Sequence, residues 1–303
     1  MKTILKDILV PIDFSDTSLN ALNTAIKMAQ RHDATLHLLY VNDMMSYYPL
    51  VGNLAAIQPM ADEISKKDSS LLEKLAFSII TNHYVDCRFY TVSGNRNVIV
   101  KDWVNQHPID LAIIGMQPGM EDSLYLFDSL AYQLLRSSSC HVLTVPAAKT
   151  IKGFHHIIYP VQSTGVPMSK YPLTRQIAEK NHADVFVVSM MDKTDTNMLG
   201  ILNRFTERIK FRLAGKVKSV EIQQCFTKDA AKSLTEICRN EVADLIVIEA
   251  DTHRNVKEFF FGNFTQKMLR NPEAAVLCIN PKKKEVFYDP YFGKVDSSKF
   301  QMN

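Results

Sequence analysis

A faint internal repeat limits this chain to a small set of folds. Ile8-Leu9-Val10-Pro11-Ile12-Asp13 aligns with Ile157-Ile158-Tyr159-Pro160-Val161-Gln162 at an offset of 149, each an apolar run with proline at the same place. The same offset carries Ala29 onto Ala178, Ala34 onto Ala183 and the run Thr35–Val41 onto Asp184–Met190. Further on the offset falls to 134, matching Asp110-Leu111-Ala112-Ile113-Ile114 to Asp244-Leu245-Ile246-Val247-Ile248 and Val142-Leu143 to Val276-Leu277. The residues missing from the second copy are therefore lost after Val41, where the first half carries a loop rich in Met, Tyr and Pro from Asn42 to Pro59.

Within each half, short β-branched runs alternate with longer segments of helical period. Strands are expected at Ile8–Ile12, Thr35–Val41, Asp86–Val92, Leu111–Gly115 and His141–Val145, and helices at Ser18–Arg31, Ala61–Asn82, Asn97–His107 and Ser129–Ser137. The second half repeats the order, with strands at Ile157–Val161, Val185–Met190, Val217–Gln223, Leu245–Glu249 and Val276–Ile279. Its helices are expected at Met168–Asn181, Met198–Leu213, Ala230–Arg239 and Asn263–Arg270. Strand and helix in strict alternation imply an α/β fold, a doubly wound parallel five-stranded sheet in each of two tandem domains. Near-continuous apolar runs suit strands covered on both faces. The domains are expected at 1–147 and 154–281, with 282–303 a polar tail, and the two last strands are expected to face each other from separate sheets.

Composition narrows the function. A length of 303 residues fits two domains of ~150 each, and a hydrophobic content of 46% with 22% charged residues is that of an ordinary globular chain. The net charge of +3 is too small for a broad nucleic-acid-binding face. No run approaches the ~20 apolar residues of a membrane span, and no signal-peptide stretch opens the sequence. The odd count of 5 cysteines, with no Cys-x-x-Cys pair, points to a reduced cytoplasmic chain rather than to a metal or redox centre. The familiar phosphate-loop, serine-hydrolase and zinc-protease motifs are absent from the sequence, and nothing in it indicates catalysis.

Open parallel sheets bind ligands beyond the carboxyl ends of their strands, near a switch in strand order. That places Asp13 after the first strand, Val41 closing the second and the stretch from Gly115 in a candidate site. The Asp13 carboxylate suits ribose hydroxyls or an adenine edge, or with Ser15 and Asp16 it turns and caps the following helix. Gly115-Met-Gln-Pro-Gly119, running on to Phe127-Asp128-Ser129, pairs scarce glycines with a helix N-terminus, the makings of a phosphate cradle or of a plain surface loop. His155-His156 would serve a metal only with a third ligand.

The opening Ile8–Ser15 with Ser18-x-x-Ala21-Leu22, the strand ending in Val41, the strand Asp110–Gly115 and the strand ending Val145-Pro146 resemble the universal stress protein family, and the repeat extends the resemblance to both halves. The resemblance implies a tandem member whose halves pair within the chain, with a homodimer as a further option, acting in stress adaptation; charge and hydropathy give it no membrane or nucleic-acid partner. It also implies an ATP site built from the aspartate after the first strand, a residue closing the second, and a loop Gly-x2-Gly-x9-Gly-(Ser/Thr). Ungapped, that loop falls on Gly115, Pro118, Asp128 and Ser129, so two positions depart from it, and sliding the second glycine to Gly119 spoils the spacing. The second half offers Gln162, Glu249, Thr252, Gly262 and Asn263 at the equivalent places. ATP is therefore expected to bind weakly or not at all, in the first half alone, with Mg²⁺ only in its company. A genuine ATP-binding member, with slow hydrolysis, is the alternative. Asp128 is read as the N-cap of the helix at Ser129, standing where an anion would.

Overall fold

The computed structural model describes residues 5–43, 54–116, 129–162, 168–192, 196–250, 263–269, 273–280, 286–289 and 293–296. The chain divides into two compact units, Met1–Cys140 and His141–Asn303. The first contains β1 (Asp7–Ile12), α1 (Asp16–His32), β2 (Thr35–Asn42), α2 (Leu54–His83), β3 (Cys87–Ser93), α3 (Arg96–Gln106), β4 (Leu111–Met116) and α4 (Leu130–Ser137). The second contains β5 (His141–Pro146), β6 (His156–Gln162), α5 (Tyr171–Asn181), β7 (Asp184–Met191), α6 (Thr196–Leu213), β8 (Ser219–Phe226) and α7 (Ala230–Asn240). It continues through β9 (Leu245–Glu249), α8 (Asn263–Leu269), β10 (Ala275–Ile279), β11 (Val286–Asp289) and β12 (Gly293–Asp296).

Strand order in the first unit runs β3-β2-β1-β4, and in the second β5-β10-β9-β6-β7-β8. In each, the first strand of the repeat lies between its second and its fourth, so the order reverses beside β1 and beside β6. The registers follow the sequence offsets. Ile8 pairs with Leu36 and Leu111, and Ile157 pairs with Val185 and Leu245. Apolar residues on both faces of each central strand explain why these segments are strands: Ile8, Leu9 and Val10 in β1, and Ile157, Ile158 and Tyr159 in β6, are fully buried. In α1 the spacing of Ala21, Leu22, Ala25, Ile26 and Ala29 lays one apolar stripe on the sheet.

The repeat extends to details that fix the chain's turns. Asp110 Oδ2 accepts the Lys6 and Asp7 amides at 2.8 and 3.2 Å, and Asp244 Oδ2 accepts those of His155 and His156 at 2.9 and 3.1 Å. The matched alanines close the first helix of each half: the Ala34 amide donates to Ala29 O at 3.1 Å and that of Ala183 to Ala178 O at 3.0 Å. Each closure passes through a left-handed residue, Asp33 at φ 56° and His182 at φ 48°. These pairs recur in sequence because each holds a strand start or a helix end.

Three expectations need correction. The last strands do not merely face each other from separate sheets: β5 and β10 form one antiparallel ladder, Val276 with Thr144 and Cys278 with Val142. Helix α5 begins only at Tyr171, after a turn at 168–170, with Pro172 in its first turn where a missing amide is harmless. In the tail, Val286–Asp289 pairs antiparallel with Gly293–Asp296, strands that its polar composition concealed. The cysteines are all unbridged, with Cys140, Cys238 and Cys278 buried. No helix among the described residues is long and apolar enough to cross a membrane.

Candidate functional site

The reversal of strand order beside β1 opens a crevice at the carboxyl ends of β1, β2 and β4, and Asp13 is the first residue beyond β1. Phe14 follows at φ 61°, a left-handed turn that sends the chain abruptly into α1 and leaves the Asp13 carboxylate beside the helix start. Asp13 Oδ1 accepts the amide of Ser15 at 3.0 Å and also its hydroxyl. Ser15 is the N-cap of α1, its Oγ accepting the Ser18 amide at 3.3 Å. Asp13 thus performs the turn-forming role, yet its side chain stays one-third exposed.

The second oxygen of Asp13 has a partner from elsewhere in the chain. Arg96 Nη1 donates to Asp13 Oδ2 at 2.6 Å. Arg96 opens α3, behind Gly94 at φ 143° and the N-cap Asn95, and the Gly94 amide bonds to Asn42 O at 3.0 Å, which fixes this turn against the end of β2. Burial raises the Asp13 pKa, but the Ser15 hydrogen bonds and the Arg96 charge outweigh it, lowering the pKa to about 2. The carboxylate is ionised throughout the neutral range.

Val41 lies half-buried in β2, paired in register with Val92 of β3. Gly115 has a packing reason to be glycine: a Cβ there would lie 2.2 Å from Thr17 O in the first turn of α1. Ser129 caps α4, its Oγ accepting the Tyr132 amide at 3.3 Å. It thereby takes the N-cap role that the sequence reading gives to Asp128. Asp128 and Gly119 lie outside the described residues, as do residues 44–53 of the stretch expected to be a loop, whose end from Leu54 through Pro59 is instead helical in α2. The structure thus groups Asp13 and Gly115 around the start of α1 and adds Arg96. No local motif marks Arg96, because Asp13 and Arg96 meet only when α3 is carried past β2 toward β1.

The equivalent place in the second unit is built differently. Lys170 stands at the offset position of Ala21, Tyr159 at that of Val10 and Glu249 at that of Gly115. Lys170 is 6% exposed; its ammonium donates to Pro160 O and lies 4.6 Å from the centre of the Tyr159 ring. Burial lowers the Lys170 pKa to about 8, against the opposing pull of Glu249. The histidine pair diverges: His155 Nδ1 meets Asn181 O at 2.9 Å and His156 Nδ1 meets Glu241 O at 3.0 Å. Among the described residues no cluster of three metal-ligating side chains forms.

The model of the universal stress protein family matches residues 5–146 and again 154–280. The chain belongs to the universal stress protein family. Its two domains of that family stand in tandem. The universal stress protein A homolog of Haemophilus influenzae is 29% identical over 144 residues, which cover 46% of this chain and 96% of that protein. Universal stress protein MJ0531 of Methanocaldococcus jannaschii is 24% identical over 150 residues, 49% of this chain and 86% of that one. A universal stress protein from Archaeoglobus fulgidus shares the fold over 92% of this chain and 99% of its own, at a TM-score of 0.70 and 13% identity.

Proposed function

We propose that this universal stress protein is a non-catalytic, cytoplasmic stress-response module in which only the first half retains an adenine-nucleotide site, and that the site is weak. The observation that carries this reading is the contrast between the two crevices. One offers a one-third-exposed ionised carboxylate, Asp13, at the reversal of strand order. In the other, Gln162 closes the apolar strand β6, and a buried lysine with Glu249 occupies the places of Ala21 and Gly115. Ribose hydroxyls donate hydrogen bonds, so they suit the carboxylate and have no counterpart of equal strength at Gln162. The five unbridged cysteines support the cytoplasmic assignment. The ladder of β5 with β10 supports pairing of the two family domains within one chain; a homodimer of whole chains is a further proposal.

Weakness follows from Asp128, which precedes the capping residue of α4. A carboxylate at a helix N-terminus competes with phosphate for the same positive end of the dipole. Titration calorimetry is expected to show wild type binding MgATP in the high micromolar range or weaker, and Asp128→Gly binding severalfold more tightly, in line with ~1 kcal/mol for such a charge. Asp13→Asn is expected to abolish the signal in both backgrounds. Micromolar binding by wild type that weakens in Asp128→Gly would instead make Asp128 a metal-linked ligand and the protein a genuine ATP binder.

A further inference from the structure

The Asp13 carboxylate is almost fully engaged before any ligand arrives. Of its roughly four acceptor sites, Oδ1 gives two to the Ser15 amide and hydroxyl, and Oδ2 gives one to Arg96. A vicinal pair of sugar hydroxyls needs two. The Ser15 bonds are local, made by the residue next but one in the chain, which is itself held as the N-cap of α1. Arg96 is the exchangeable partner, because its side chain is 37% exposed and the ion pair meets solvent on both sides.

We propose that Arg96 is a specificity-determining latch: it holds Asp13 in the empty site, must release it when the sugar of an adenine nucleoside seats, and so selects ligands whose phosphate gives the freed guanidinium a new anion. This rests on the reading that Asp13 receives the sugar hydroxyls. Displacing a guanidinium from a carboxylate leaves a cation without a partner, and a neutral nucleoside has nothing to offer it. A nucleoside phosphate does, since the planar donor fork of arginine fits phosphate as well as it fits carboxylate. Selectivity for nucleotide over nucleoside then arises from the latch itself.

The test compares adenosine with AMP on wild type, Arg96→Met and Arg96→Lys by titration calorimetry, with Asp13→Asn as control. Wild type is expected to prefer AMP. Arg96→Met is expected to bind adenosine about two- to fivefold more tightly, as loss of one partly exposed ion pair allows, and AMP no more tightly than wild type, so the preference collapses. Arg96→Lys keeps the charge without the fork and is expected to fall between the two. A second readout needs no ligand: in an NMR titration the Asp13 carboxyl is expected to move from about 2 in wild type toward the ordinary carboxylate value in Arg96→Met. An unchanged Asp13 titration, or equal changes for adenosine and AMP, would overturn the latch while leaving the nucleotide site standing. Full affinity in Asp13→Asn, or no binding of either compound by any variant, would remove the nucleotide reading and the latch with it.

Discussion

Gly115→Ala is expected to destabilise the first unit by about 3 kcal/mol, near the upper end for overpacking. The added methyl would lie 2.2 Å from Thr17 O and 2.6 Å from its carbonyl carbon. Both are backbone atoms of the first turn of α1, so no side chain can swing aside and the helix start must move as a body. That start carries Ser15 and Ser18, which hold the Asp13 turn, so the site is expected to loosen together with the fold. Gly200 in α6 supplies the control, since nothing lies within 4 Å of a Cβ built there. Gly200→Ala should be neutral or stabilising by ~0.5–1 kcal/mol, the usual gain in a helix interior. Thermal denaturation separates the two: a fall of roughly 6–12 °C for Gly115→Ala against none for Gly200→Ala. Equal shifts would mean that α1 does not approach β4 as closely as described.

Lys170 governs a second large effect, visible in the pH dependence of stability. Its pKa is lowered from 10.5 to about 8 by burial, so the folded state binds fewer protons than the unfolded state between those values, and its contribution to stability rises with pH across that window. Over the full window the effect is on the order of 3 kcal/mol, and between pH 7 and 9 it is about 1.4 kcal/mol. The cysteines act in the opposite sense. Burial raises Cys87 and Cys238 to about 12 and Cys278 further, so each withdraws stability as pH climbs past 9. A comparison of wild type with Lys170→Met cancels the cysteines. In urea titrations at pH 7, 8 and 9, wild type is expected to gain on the variant by about 1.4 kcal/mol from first to last. Parallel pH profiles would show that the ammonium is not held in a dry setting.

How far the sequence foretells this structure depends on whether the cause is local. The tandem plan was readable because buried strands must be apolar on both faces, and because Asp110 and Asp244 recur wherever a strand start needs its amides accepted. Asp13 was readable by position, as the first polar residue past a buried strand. Arg96 was not, since its meeting with Asp13 depends on a turn fixed by Gly94 and Asn42 that no short motif encodes. Lys170 and Glu249 look like ordinary surface charges in sequence. Only the offsets that set them against Ala21 and Gly115, together with the burial of Lys170, show that the second half is built differently at these places. Sequence places the cap of α4 one residue early, at Asp128, because aspartate and serine are equally good N-caps; the backbone selects Ser129.

Photolabelling with 8-azido-ATP and Mg²⁺, followed by mass spectrometric mapping of the labelled peptides, tests most directly the claim that the two halves have parted in function. Label displaced by excess ATP is expected only on first-half peptides, near Asp13, Val41 and Gly115, and is expected to vanish in Asp13→Asn. Displaceable label on peptides carrying Gln162, Lys170 or Glu249 would contradict the claim, and so would the absence of displaceable label from both halves.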